Sequence, residues 1–370
     1  MDHNVVPSSA SGRKHILGLD LVRFAAAFVV MFFHLAFWSW WDSPSGPGTI
    51  HRTFPDLPEY WSFTSISWFG WVGVQIFFVI SGFVIAMSAN GRTWREFAIA
   101  RLLRIFPTAW ISAIVIFPVY LLFSDSELSA KLLRLFNTLI ISPFPAWLDG
   151  VFWTLVIELV FYGLITVILA TKGAQKLAAV AWVMTLASAF FLSLAALDLV
   201  NFSWITTLLL LQHGALFSLG IALYFALYKE NKKPLRNYFL LFLSFAFSLC
   251  EIWLTAKSQL EVFAYESSPA IPMVLWSFCL VLIFISVKLG NFFSQALSMQ
   301  KDSIRMLGLM TYPLYLTHSL IGGATLFLLS AIGMNRYYAL GSSMVFCLIT
   351  SWIIAKIEPI LRARLSRYVV

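Results

Sequence analysis

The chain has 370 residues, 60% of them hydrophobic and 11% charged, with a formal net charge of +8. Soluble domains are roughly 45–50% apolar and about 25% charged, so this composition excludes an ordinary soluble domain and describes a chain that crosses a membrane several times. The positive balance does not point to nucleic acid, because the basic residues sit in loops between apolar runs, where they orient a membrane chain.

In chain order the apolar runs give ten spans, at roughly 16–41, 67–88, 106–123, 151–170, 177–197, 205–228, 238–255, 271–288, 305–332 and 337–357. A cytoplasmic tail, 1–15, precedes them and a second, 358–370, follows, which leaves 16–357 as one transmembrane domain. The first run is a retained span and not a cleaved leader, since it holds Asp20 and Arg23 and its small residues, Ala25 to Ala27, lie mid-run. Nothing alternates with period two, and lipid demands that every backbone group be satisfied internally, so the expected fold is an all-α polytopic bundle of about ten transmembrane helices.

Nineteen of the 25 Lys and Arg residues fall on one side of these spans and five on the other, Arg23 being inside a span; both termini are therefore expected in the cytoplasm. The longer outer loops, 42–66 and 124–150, carry Pro, Gly, Trp and acidic residues. Within the second, segment 131–142 is too short to span and reads as re-entrant or interfacial. Fifteen Trp and 35 Phe suit interfacial belts and a lipid-facing surface. Cys250, Cys279 and Cys347 lie in apolar segments without paired spacing, so neither a disulfide framework nor a metal site is expected. Phosphate-loop, zinc-protease and nucleophile-elbow patterns do not occur.

Ionisable residues at membrane depth are costly, which makes each a candidate for function. In span 1, Arg23 and His34 are eleven residues apart, about three helical turns, so they share one face ~16 Å apart along the axis. Arg23 alone could be a snorkelling residue paired with Asp20, and His34 alone a packing group. Glu158 sits about two turns into span 4 with Thr154 one turn before it on the same face. Counted from the outer ends, His34 and Glu158 reach similar depth, so a carboxylate–imidazole pair, a competent general base, is expected unless the acid serves a structural ion pair.

Arg101 and Arg104, spaced i,i+3 just before span 3, offer two guanidinium forks on one face, suited to a phosphate-rich ligand or to ordinary cytoplasmic charge. Ser81-Gly82 in span 2 gives close backbone approach and a polar handle, for packing or for ligand. Span 9 carries Tyr312, Pro313, Tyr315 and His318, and its proline can break or kink the helix. His213 in span 6 has too little context to place.

The stretches LDLVRFAAAFVVMFFH, FFVISGFVI, RLLRIFP, WTLVIE and YPLYLTH, in this order, resemble the acyltransferase 3 family of bacterial integral-membrane acyltransferases over about residues 14–357. The resemblance implies a multi-pass enzyme of the bacterial inner membrane. It implies acyl-coenzyme A, usually acetyl-coenzyme A, as co-substrate, with no metal. The acceptor implied is a hydroxyl of a surface polysaccharide, lipid-linked glycan or small glycoside.

On this reading Arg101 and Arg104, with Arg23, dock the donor. His34 oriented by Glu158 deprotonates the acceptor, with an acyl-histidine route as the alternative. Ser81, Trp153, Thr154, Tyr312, Tyr315 and His318 line the site. Some relatives carry an extra span and a periplasmic hydrolase-like domain. This chain reads as a stand-alone form that completes the transfer itself or hands the acyl group to a periplasmic partner, and it leaves a homo-oligomer open. The rival reading is a carrier or flippase without chemistry of its own. Against it, the sequence shows no repeated half and no matched pair of Gly/Pro-broken helices.

Overall fold

A computed structural model describes residues 16–41, 49–228 and 234–369. The expected N-terminal tail, with Arg13 and Lys14, and the loop lysines Lys229, Lys232 and Lys233 lie outside the described residues. Helix α1 (Leu17–Phe33) continues into one π-helical turn, His34–Trp38. Two short helices, α2 (Thr49–Thr53) and α3 (Thr64–Ser67), lead to α4 (Val72–Ala89). There follow α5 (Trp94–Phe123), α6 (Leu128–Leu139), α7 (Trp153–Thr171), α8 (Leu177–Ala196), α9 (Trp204–Leu208) and α10 (Gly214–Leu227). The chain ends with α11 (Pro234–Phe263), α12 (Ala270–Lys288), α13 (Gly290–Ala296), α14 (Lys301–Ala331) and α15 (Arg336–Val369). No strand occurs among the described residues, and nine helical segments there are long and apolar enough to cross a membrane. The protein is an all-α polytopic membrane protein.

The sixth expected span is not among those nine; it is present but broken. Instead of one helix over 205–228, α9 stops at Leu208 and α10 restarts at Gly214. The turn between them holds Leu210 at φ 57°, a left-handed conformation that a side chain disfavours. At 14 residues α10 is too short to span alone, yet every residue from Gly214 to Phe225 is buried against α4, α8 and α11. A helix apolar all round belongs inside a bundle. Gly82 and Gly220 permit the closest crossing: a Cβ at Gly82 would strike the Phe217 carbonyl, and one at Gly220 the Val79 carbonyl. That is the packing role expected of the Ser81-Gly82 pair.

Other spans are longer than expected, among them α11, which covers Pro234–Phe263 and not 238–255. α5 begins a dozen residues before position 106, because Thr93 and Glu96 close a capping box at its start. Arg101 and Arg104 therefore stand on the helix itself and not in a loop ahead of it. α14 runs without a break through Pro313. The last helix continues through Pro359 to Val369, past the expected end at 357. Segment 131–142 forms α6 and its end; Leu132, Leu133 and Phe136 stay exposed, while Trp110 donates to the Leu139 carbonyl at 2.9 Å and ties α6 to α5.

Glycines set the register around α1. Gly308 of α14 faces Asp20, and Gly322 faces Leu35, so α1 and α14 run parallel. Gly73 of α4 meets the Ala26 carbonyl, and Gly70 the Val29 carbonyl, so α4 runs antiparallel to α1. The three helices bring Arg23, Ser81, Tyr312, Tyr315, His318 and His34 onto one internal seam.

Candidate active site

Between α1, α4, α5, α7 and α14 lies a cleft with about 670 Å³ of space, part of it open to solvent. Its walls are graded along α4. Val84 and Ile85 lie at the end marked by the basic residues, Ser81 is in the middle, and Val74, Phe77 and Phe78 lie beyond it. Arg23, Arg101 and Arg104 converge on the polar half. Arg104 is exposed, at the mouth, whereas Arg101 is buried, with its guanidinium 5.7 Å from the Phe97 ring and 6.0 Å from the Tyr162 ring. Such rings attract a desolvated cation. The Arg101 Nε and the Tyr312 hydroxyl are buried without a hydrogen-bond partner in the protein, and both residues line the cleft. Unmet buried donors are costly, so a ligand that accepts from them gains binding energy.

Glu158 is fixed across the cleft. Its Oε1 accepts from Ser81 Oγ at 3.0 Å and from the Tyr162 hydroxyl at 2.9 Å. The expected pairing of Glu158 with His34 is not formed. Equal depth for the two residues requires both spans to start at the same level, and they do not. Trp153, the first residue of α7, already packs against Phe78, well down the Trp61–Ala89 span, with ring centroids 6.0 Å apart. Glu158 thus descends to the level of Ser81, away from His34.

The partner of His34 is His318. The His34 Nδ1 and His318 Nε2 lie 3.1 Å apart. His34 Nδ1 also approaches the Val30 carbonyl at 2.9 Å, and His318 Nδ1 the Leu314 carbonyl at 3.0 Å. A carbonyl only accepts, so both Nδ1 atoms carry their protons. His318 Nε2 is then the acceptor that faces the His34 Nδ1–H. This assignment leaves both rings neutral and the His34 Nε2 lone pair uncommitted. His34 also begins the π-helical turn, a distortion that recurs at functional sites. The pair sits one turn beyond Tyr315, which lines the cleft and whose ring is 6.0 Å from that of His318.

Of the expected site residues, Arg23, Ser81, Arg101, Arg104, Thr154, Glu158, Tyr312 and Tyr315 line the cleft together. His34 and His318 do not line it; they meet one turn of α14 beyond Tyr315. Trp153 turns instead toward Phe78 and His213. Tyr162, Asp149 and Glu251 are functional candidates that no sequence motif singles out. Tyr162 follows Glu158 at i,i+4, a spacing that could have found it. Asp149 is buried at the start of the 3-10 turn before α7, where its side chain accepts from the Val151 amide at 3.3 Å. Glu251 pairs with His213 at 3.0 Å, a buried contact between the consecutive helices α10 and α11. No group of residues able to hold a metal ion occurs among the described residues.

Residues 16–356 match the family described as an acyltransferase domain. Nodulation protein 10 of Rhizobium leguminosarum bv. viciae is 30% identical over 178 residues, which cover 42% of this chain and 45% of that protein. The similarity thus spans less than half of this curated relative. No solved structure matches the chain.

Proposed function

The chain belongs to the acyltransferase 3 family and is a multi-pass membrane acyltransferase, and on that premise we propose that it moves an acyl group, acetyl first, from cytoplasmic acyl-coenzyme A to a hydroxyl of a cell-surface or exported carbohydrate. The observation that carries this reading is the graded cleft: three guanidinium groups at one end, and the imidazole pair one turn past the other. The donor's phosphates pair with Arg104 at the mouth and with Arg101 and Arg23 inside. The pantetheine arm passes Ser81 and Glu158. The thioester then stops near Tyr315, whose hydroxyl is placed to polarise the carbonyl.

His34 Nε2 takes the proton of the acceptor hydroxyl. The oxygen attacks the thioester carbon, the C–S bond breaks, and the proton on Nε2 passes to the departing thiolate. His318 takes the supporting role first expected of Glu158, because its Nε2 accepts the His34 Nδ1–H more strongly once His34 is cationic. Glu158 instead holds Ser81 and Tyr162 in place across the cleft. The cytoplasmic donor makes the plasma membrane of a bacterium the expected location.

The broken helix at 209–213 is the feature that favours the carrier reading, since discontinuous helices mark substrate sites in transporters. One assay separates the two. Purified protein in vesicles is given labelled acetyl-coenzyme A and a hydroxylic glycoside. Acceptor-dependent thioester cleavage with label on the glycoside is expected. Uptake of label with the thioester intact would establish the carrier instead.

A further inference from the structure

The His213–Glu251 pair is a buried polar cluster that the reaction above leaves unused. His213 is 2% exposed and Glu251 fully buried. The His213 Nδ1 lies 3.0 Å from Glu251 Oε1, and Thr255 Oγ1 donates to the same oxygen at 3.4 Å. Glu251 Oε2 has no hydrogen-bond partner in the protein. A buried polar pair rarely adds stability over apolar residues of the same size, so its presence asks for another use.

Backbone strain brings the pair into position. Leu210 adopts φ 57° in the turn before α10, so the helix starts inside the bundle with His213 at its N-cap. The Ser188 hydroxyl accepts from the Ala215 amide at 3.0 Å and pins that first turn to α8.

The His213 ring then lies directly behind the cleft wall. Its centroid is 5.0 Å from that of Phe78 and 5.6 Å from that of Trp153. Phe217 closes on Phe78 from α10 at 4.8 Å. Phe78 is the largest apolar side chain of the cleft that is held this way, ringed by three aromatic neighbours and facing the space beyond Ser81. A chain entering past the arginines and Ser81 meets Phe78 next.

We propose that Phe78 gauges the length of the transferred acyl group, and that His213 and Glu251 are positioning residues that hold its ring in place. This rests on the acyl-coenzyme A reading above. A fixed ring at that point leaves room for a short acyl group and excludes longer ones. Removing the ring, or loosening its support, admits them.

The test measures thioester cleavage by the purified protein in vesicles with acetyl-, butyryl- and octanoyl-coenzyme A. A methylene in an apolar pocket commonly changes kcat/KM by about tenfold or more, so in Phe78→Ala the butyryl-to-acetyl ratio should rise at least about tenfold. Phe78→Leu should shift it less, and serves if the alanine variant does not fold. Glu251→Gln, nearly isosteric, should move the ratio the same way by a few-fold. His213→Gln should do likewise. A purely structural role would lower cleavage of all three donors alike.

An unchanged ratio in folded Phe78 variants overturns the gauge. Uniform losses in Glu251→Gln and His213→Gln, at constant ratio, overturn the positioning role. Wild-type protein that cleaves none of the three donors overturns the donor reading itself, and the inference with it.

Discussion

Two imidazole sites stand in this bundle, and they are built on opposite terms. Where the end of α1 meets the middle of α14, His34 and His318 turn their Nδ1 atoms to main-chain carbonyls one turn back and meet through a single nitrogen–nitrogen contact. At the start of α10, His213 is held by a carboxylate and walled in by aromatic rings. The first arrangement leaves a lone pair for a substrate proton. The second immobilises the ring and occupies its Nδ1. A buried imidazole is thus a base or a brace according to whether its partner is a neutral acceptor or a carboxylate.

The sharpest way to break this contrast is to measure folding at each site. Truncating Glu251 to Ala leaves His213 buried without its partner, which should cost on the order of 3 kcal/mol and lower the melting temperature of the detergent-solubilised protein. His34, partly exposed and held by the Val30 carbonyl and His318, should cost much less when replaced by Ala. Equal losses at both positions would erase the distinction.

Next come the arginines of the cleft. Arg101 is buried and Arg104 exposed. Arg101→Ala should raise the KM for acyl-coenzyme A roughly ten- to hundredfold, as expected for removing a desolvated charge contact. Arg104→Ala should raise it by only a few-fold, because an exposed ion pair is worth about 1 kcal/mol or less. The reverse order would mean that the donor binds at the mouth and not inside.

The smallest effect concerns Asp149, just outside the membrane-spanning part of α7. Burial pushes its carboxyl up from 3.8 to about 6. An acid whose folded value is raised stabilises the fold while it is protonated, and loses that contribution as pH rises through the folded value. Asp149→Asn keeps a side-chain oxygen for the Val151 amide but does not titrate. Its melting temperature relative to wild type should therefore rise between about pH 4 and about pH 7. A constant difference across that range would show that Asp149 stays ionised throughout.

How much of this was legible in the sequence depended on whether one helix carried the information. Arg101 with Arg104, and Thr154 with Glu158, share a cleft because spacing along a single helix puts them on one face. Arg23 and His34 likewise face one seam. What failed was depth across helices. Glu158 was matched with His34 by counting from span ends, but α7 starts inside the bundle beside Phe78. The break before α10 has no proline to announce it. It depends on Leu210 accepting strain so that His213 can reach Glu251, a residue 38 positions away. No local pattern encodes such a contact. The pairing of His34 with His318, 284 positions apart, was equally hidden until glycines in α14 fixed the parallel register with α1.

The most direct trial is thioester cleavage by His34→Ala, with binding of coenzyme A followed in parallel by thermal shift. Positioned acid–base groups contribute about 100-fold or more. Cleavage should fall by at least that factor, while coenzyme A still protects the folded variant because the arginine cleft is untouched. Cleavage at the wild-type rate would contradict the assignment of the proton acceptor to His34.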